Sequence, residues 1–379
     1  MLNRRNLRIK VMQSLFALQQ SREANYQLAF EFVRNRFTPD LNSMEVQDKE
    51  LLARRSLLAQ KALEEAFENG RSVPPLDDEA VAAAVKEALA RHKDQCKRDR
   101  DSLRRTTITE TEQIYDHYIG VLSLACVFAD IAGSDKKIQH TNFLQNSWIR
   151  ALQRSASLKE QSRRLNKPWD SRMTEVRTWF RDIIRQDAEY QAYLDRKDPS
   201  FGDQKKFANH FLRKVLLGKN AISDYFEEEA LRWAEDKEIV RGLIEKTVKS
   251  FDPAKQQEIS LHALSLNWEE DKEFVERLYD EAADLEKQYA DLIANNTRNW
   301  EVDRLPLTDK VILEMAIAEM LIFPNIPVKV SINEYIELAK NYSTPKSRQF
   351  INGILDVIAR ELNESGAVKK SGRGLMDNK

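Results

Sequence analysis

Residues 326–340 read IPVKVSINEYIELAK, and this stretch, with residues 341–362 after it, decides the fold. Its apolar positions recur at intervals of three and four, which places them on one face of an α-helix. Ser331 and Glu334 have the spacing of a capping box, so we expect a helix to begin at Ser331. Thr344 followed by Pro345 predicts the start of the next helix. The apolar face of that second helix consists of Phe350, Ile351, Ile354, Leu355, Ile358 and Leu362.

The composition of the whole chain favours the same kind of structure. Of its 379 residues, 32% are charged and 42% are hydrophobic, with only ten glycines and ten prolines. Sheet-rich proteins need more turns and more β-branched residues, so this balance favours long solvated helices. A further apolar helix begins near Thr308 and Asp309 and ends before Pro324. The predicted fold class is therefore all-α.

The chain divides into four regions that differ in charge and in hydrophobic patterning. Residues 1–21 form a helix without any acidic residue, and residues 22–252 form a long, charge-rich helical region. Residues 253–362 are compact and strongly patterned, and residues 363–379 are predicted to be a disordered tail. Apolar residues in the second region, such as Trp179, Phe180 and Trp233, indicate that it packs into a helical unit of its own. Its predicted breaks are at residues 36–40, 69–75, 131–134 and 198–202.

The sequence contains no recognisable catalytic motif. It lacks GxGxxG, GxxxxGK[ST], GxSxG and HExxH, and its five histidines have no metal-ligand spacing. Glu314 and Glu319 lie among apolar residues, and we interpret them as structural or solvated rather than as tuned acids. We therefore expect no enzyme, no metal and no cofactor.

The cysteines and the hydropathy indicate a cytoplasmic protein. Cys96 and Cys126 are not in a CxxC or paired arrangement, which is typical of a reducing compartment. No apolar stretch approaches the roughly 20 residues that span a bilayer. The amino-terminal segment also lacks the apolar core and cleavage site of a secretory signal.

Two basic clusters with nearby aromatic rings are candidates for nucleic-acid binding. The first lies on the amino-terminal helix, where no acid neutralises the charge: Arg4, Arg5, Arg8 and Lys10, with Phe16 further along. The second surrounds the helix start at Thr344: Tyr342, Lys346, Arg348 and Phe350. The alternative is that the cations are solvated and that the rings, Phe350 above all, belong to the core.

Several motifs, in the same order along the chain, resemble the NusB family. Residues 299–304 (NWEVDR) and 309–320 (DKVILEMAIAEM) are similar to two family elements. Residues 326–340 and 343–356 closely resemble the family's INE and FVNG motifs. Residues 4–16, with three arginines followed by Gln13, Leu15 and Phe16, are similar to its first helix. Together these motifs cover about a quarter to a third of the chain.

The resemblance implies a NusB-like helical bundle with a large helical insertion. In that family the first helix binds single-stranded boxA-type RNA, a role that falls on Arg4, Arg5 and Arg8. Phe16 stands where many members have tyrosine, and the family's two other RNA-facing rings correspond to Tyr342 and Phe350. Lys10 and Arg348 are added from charge alone.

Three further positions bear on the family's contacts. Lys346 replaces a common acid, and Glu314 replaces an arginine of some members, which places that contact in doubt. Asp309 retains an acid that is linked to the family's protein partner.

The expected function is non-enzymatic transcription antitermination, with no membrane association. The protein would bind boxA-like RNA of ribosomal transcripts together with a NusE-type small-subunit ribosomal protein, within the transcription elongation complex. One alternative is a protein-interaction adaptor whose RNA surface has degenerated. Another is an RNA-modifying enzyme that uses a NusB-like module, which would need a Gly-rich loop after a strand.

Overall fold

The computed structural model describes residues 2–42, 44, 46–70, 72–166, 169–285, 287–296 and 305–378. Within these ranges the regular structure is helical and no strand occurs, so the all-α prediction is confirmed. The motif at residues 299–304 lies outside the described residues.

Sixteen α-helices follow one another along the described chain. They are α1 Arg4–Arg36, α2 Lys49–Glu68, α3 Glu79–Ser134, α4 Thr141–Gln145, α5 Ser147–Arg154, α6 Ala156–Arg164, α7 Met173–Trp179, α8 Ala188–Leu194, α9 Phe201–His210, α10 Asn220–Glu229, α11 Trp233–Ser250, α12 Trp268–Ala283, α13 Lys287–Asn296, α14 Leu307–Ile322, α15 Val328–Tyr342 and α16 Pro345–Glu364. Two π-helical turns, Phe180–Ile184 and Phe211–Leu216, follow α7 and α9 directly.

Three of the four predicted breaks are confirmed, but residues 131–134 still belong to α3, and the predicted end of the first helix is wrong. Helices α1, α2 and α3 end at Arg36, Glu68 and Ser134, and α9 begins at Phe201. Helix α1 does not stop near Ser21, because apolar side chains continue its buried face as far as Ala29 and Val33.

The chain divides into two compact units. We call Arg5–Ile108 with Lys272–Lys379 the bundle unit. We call Thr109–Asp271, with the first residues of the chain through Arg4, the insertion unit. This division differs from the expected one: residues 22–108 lie in the bundle unit, and residues 253–271 lie in the insertion unit.

The insertion unit has an aromatic core of its own. Trp148 and Trp233 are fully buried, as are Phe143 and Phe211. Trp148 Nε1 donates to the carbonyl of Val248 at 3.0 Å, which satisfies the one polar atom of the ring. This region therefore packs as a helical unit.

Helix α14 is the centre of the bundle unit. Every residue from Val311 to Met320 is buried, because α15 and α16 both pack against it. Leu7, Val11 and Leu18 of α1 are also buried. A helix that is buried on all sides over ten residues belongs to the core, and the other helices cover it.

Helices α3 and α12 run antiparallel within the bundle unit. Arg100 lies 2.7 Å from Asp284 and 3.3 Å from Asp280, and Arg104 lies 3.1 Å from Asp280 and 3.6 Å from Glu276. This register places Ile108 and Lys272, the ends at which the chain leaves the unit, near each other.

The capping box predicted at Ser331 is wrong. Helix α15 begins three residues earlier, at Val328, with Pro327 at the N-cap position. Ser331 is fully buried inside the helix and its hydroxyl has a tertiary partner. The start predicted for the next helix is confirmed, because Thr344 caps α16 and Pro345 is its first residue.

The segment predicted as a disordered tail contacts the end of α14. Lys370 Nζ donates to the carbonyls of Met320 and Phe323 at 2.9 and 3.0 Å, and the backbone N–H of Ser371 donates to the carbonyl of Pro324 at 3.0 Å. The last carbonyls of a helix lack intrahelical donors, so a lysine there is stabilising.

One expectation about the hydropathy of the chain is wrong. Helix α3 contains a window that is long and apolar enough to cross a membrane, contrary to the expectation that no such stretch exists. About 61% of that window is buried inside the protein, as in the core helix of a globular protein.

We expect that replacing residues 109–271 with a short Gly/Ser linker leaves a soluble, helical bundle unit. The α3–α12 ion pairs hold the two cut ends close, so a flexible linker closes the gap at modest entropic cost. Deleting residues 22–252 instead removes the part of α3 that covers α1 and α12, and that protein should aggregate. Circular dichroism and size-exclusion chromatography distinguish the two proteins. Equal behaviour of both would contradict the division into units.

Candidate nucleic-acid interface

Three helices of the bundle unit meet at the buried carboxylate of Glu319 on α14. Arg8 of α1 donates two hydrogen bonds to it, from Nε at 2.7 Å and from Nη2 at 2.8 Å. Ser331 and Tyr335 of α15 donate their hydroxyls to the same oxygens at 2.7 and 3.0 Å. A buried carboxylate is tolerated only when it is paired and hydrogen-bonded, and this one has four such bonds. Glu319 therefore holds α1 and α15 against α14.

Arg8 remains charged although its side chain is only 3% exposed. Desolvation lowers the pKa of Arg8, but hydrogen bonding to Glu319 and the charge of that carboxylate raise it above its ordinary value overall. The guanidinium also lies 5.6 Å from the centre of the Phe274 ring. Burial and the nearby charge of Glu319 raise the pKa of Tyr335 well above its usual range, so Tyr335 stays a neutral donor.

Two of the cations predicted to contact RNA are buried. Arg8 and Lys10 are 3% and 2% exposed, since Arg8 falls on the same buried stripe of α1 as Leu7 and Val11. A cation binds phosphate through charge that reaches the surface. In this arrangement Arg8 has a structural role, and its predicted phosphate contact and that of Lys10 are not supported.

Arg5 and Arg4 are more exposed, and each is paired with a carboxylate. Arg5 donates to both oxygens of Glu334 at 2.9 and 2.8 Å, and this hydrogen bonding lowers the pKa of Glu334. Arg4, in the insertion unit, lies 2.6 Å from Glu270. Exposed ion pairs of this kind contribute at most about 1 kcal/mol, so a phosphate can replace the carboxylate at little cost.

Phe16 is 38% exposed on α1 and so presents part of its ring to solvent. Its predicted role in stacking on a base stays a prediction.

The junction between α15 and α16 carries the second predicted cluster, which comprises Tyr342, Lys346, Arg348 and Phe350. Thr344 caps α16 by accepting a hydrogen bond from the N–H of Ser347 at 3.2 Å. Lys346 and Arg348 are exposed, and no carboxylate among the described residues pairs with either. Tyr342 and Phe350 are half-buried, so each ring is held by the fold and still partly reaches solvent. Exposed cations beside rings held in place suit single-stranded RNA.

Asp309 and Glu314 of α14 do not face solvent. Asp309 is 1% exposed and accepts a hydrogen bond from the hydroxyl of Ser343. This contact ties the start of α14 to the junction, while the predicted binding of a partner by Asp309 stays a prediction. Burial raises the pKa of Glu314, with Lys310 and Arg22 acting in the opposite direction, in keeping with a structural carboxylate.

Comparison with known proteins finds a family of all-helical proteins that matches part of this arrangement. Residues 237–360 match the model of the NusB family. The matched residues include α14, α15 and most of α16, and so contain Glu319 and the α15–α16 junction. The chain therefore carries a NusB-family domain, to which α1, outside the matched residues, is joined through Arg8.

Three relatives named transcription antitermination protein NusB share part of this sequence. The protein of Chloroherpeton thalassium is 53% identical over 85 residues, which is 22% of this chain and 40% of that protein. The protein of Salinibacter ruber is 41% identical over 101 residues, 27% of this chain and 63% of that protein. The protein of Natranaerobius thermophilus is 52% identical over 69 residues, which is 18% of this chain and 50% of that protein.

The chain thus spans roughly half the length of these relatives, and it is longer than a typical NusB protein, consistent with an insert. No solved structure matched the chain.

We predict that Arg8→Ala lowers the free energy of unfolding by about 3–5 kcal/mol, because it leaves the Glu319 carboxylate buried without its cation. Arg5→Ala is the matched control on the same helix, and loss of its exposed ion pair should cost at most about 1 kcal/mol. Urea denaturation followed by circular dichroism measures both. Similar losses in the two variants would show that the buried pair is not the main constraint.

Ser331→Ala should destabilise the protein by about 1.5–3 kcal/mol, since it removes a hydrogen bond to a buried charge. A lost helix cap at this position would cost about 1 kcal/mol, and Thr344→Ala, at a true N-cap, provides that reference. The same denaturation experiment decides between the two roles of Ser331. A loss no larger than that of Thr344→Ala would count against the buried contact.

Proposed function

We propose that this protein is a non-enzymatic transcription antitermination factor of the cytoplasm. It binds boxA-like single-stranded RNA of ribosomal transcripts jointly with a NusE-type small-subunit ribosomal protein, within the transcription elongation complex. The observation that carries this proposal is the NusB-family domain at residues 237–360, whose α15–α16 junction presents cations and rings together.

RNA recognition in this proposal needs no covalent step. Lys346 and Arg348 neutralise phosphates, and the helix N-terminus at Thr344 adds backbone N–H groups and a favourable dipole. Tyr342 and Phe350 stack on bases that are splayed out of the strand. A single strand offers such bases, whereas a duplex keeps them paired.

Helix α1 contributes less charge than its sequence indicates. Arg8 and Lys10 are buried. Among the cations predicted on α1, Arg5 is therefore the one in the bundle unit that can reach a phosphate, and its ion pair with Glu334 must first break. Phe16 supplies a partly exposed ring on the same helix. We therefore assign most of the phosphate contact to the α15–α16 junction.

We expect Lys346→Ala/Arg348→Ala to weaken binding of a boxA-like RNA and to reduce the salt dependence of log K by about 0.7 per lost phosphate contact. Arg54→Ala/Lys61→Ala on α2 makes the same charge change at exposed positions outside both clusters and should bind like the unaltered protein. Fluorescence anisotropy with boxA-like and scrambled RNA, with and without the ribosomal protein, measures the effect.

The outcomes of this titration separate the candidate functions. Tighter binding of the boxA-like RNA, enhanced by the ribosomal protein, supports the proposal. Binding of the ribosomal protein without RNA discrimination would instead indicate an adaptor with a degenerate RNA surface. No binding of either would reject the assignment.

A further inference from the structure

Two short helices of the insertion unit carry a concentration of positive charge. Residues 150–164 contain five cations and one acid, in a chain whose formal net charge is −1. All five cations are exposed, and no carboxylate of a described residue lies within 4 Å of any of them, although the charge of Arg164 acts on Asp116. They are Arg150 and Arg154 on α5, and Lys159, Arg163 and Arg164 on α6.

The packing of these helices turns the cations outward. Trp148, Ile149 and Leu152 of α5 and Leu158 of α6 are buried in the core of the insertion unit. The stabilising effect of cations at helix C-termini accounts for arginines in the last turns. Arg150 and Lys159 lie at the fourth position of their helices, where that effect does not account for them. The charge of this face therefore exceeds what helix stability requires.

A cavity of about 500 Å³ opens beside the same helices. Lys159 and Arg163 line it together with the apolar side chain of Leu152 and the ring of Trp169, and Asp130 and Asp170 line it as well. The two carboxylates disfavour a phosphate inside the cavity, but carboxylate oxygens accept N–H groups such as those of a nucleobase. Its volume lies within the range of small-molecule sites, so it can hold one base.

We propose that this face, the α5–α6 basic surface, is a second binding site for single-stranded RNA, independent of the boxA sequence. The exposed cations neutralise successive phosphates along the strand, and one unpaired base enters the cavity. An acidic protein would also be attracted to the cations, but the cavity with its apolar wall favours a planar base. The site does not depend on the α15–α16 junction.

The test uses the full chain and a fluorescent 12-nucleotide oligouridylate without a boxA sequence. The variant Arg150→Ala/Arg154→Ala/Lys159→Ala/Arg163→Ala should bind this probe at least about tenfold more weakly, with the salt slope reduced by about 2–3. The matched control makes the same charge change at exposed lysines of the same unit: Lys136→Ala/Lys137→Ala/Lys197→Ala/Lys206→Ala. Equal affinities and slopes for the two variants would overturn the proposal.

A second variant tests the cavity separately from the charge. Ser162→Trp places a ring at the lining of the cavity and should weaken oligouridylate binding without changing the salt slope. An unchanged affinity would overturn the insertion of a base. The four-residue variant of α5 and α6 should also weaken oligouridylate binding when it is combined with Lys346→Ala/Arg348→Ala, so failure of the boxA site and failure of this site are observed independently.

Discussion

The bundle unit depends on the buried pair of Arg8 and Glu319. Burial of a charge is costly unless every oxygen and N–H finds a partner, and the four hydrogen bonds to Glu319 provide these partners. The two residues lie 311 positions apart in the sequence, so the pair joins the first helix to the family domain across the whole insertion. Helix α1 can therefore pack against α14 whatever the length of the chain between the two helices.

In the proposed function, this constraint also decides which residues are left for RNA. A guanidinium that holds Glu319 cannot at the same time hold a phosphate, and Lys10 is buried on the same helix. The exposed cations at the α15–α16 junction have no such competing partner among the described residues, and Thr344 holds their helix start in place. In the proposed function, the structural role and the recognition role are thus divided between two helix starts of the bundle unit.

The insertion unit is stabilised in a different way from the bundle unit. Its aromatic core, with Trp148 and Trp233 fully buried, makes it a compact unit rather than an extended loop. Five exposed cations lie on α5 and α6, and no carboxylate of a described residue is within 4 Å of any of them. A chain that is nearly neutral overall therefore carries a strongly basic surface that its net charge conceals.

The sequence by itself determined the helical fold class, most of the helix breaks, the cap at Thr344 and the family resemblance, since these depend on neighbours within a few positions. It could not distinguish Arg8 from Arg5, or a capping box at Ser331 from a buried contact, because the spacing of these residues is compatible with both. The partners of Glu319 are 12, 16 and 311 positions away. Only the tertiary structure brings such residues together. Because a buried charge needs a partner to offset its desolvation, the fold decides that Arg8 is buried beside Glu319 and that Arg5 faces solvent.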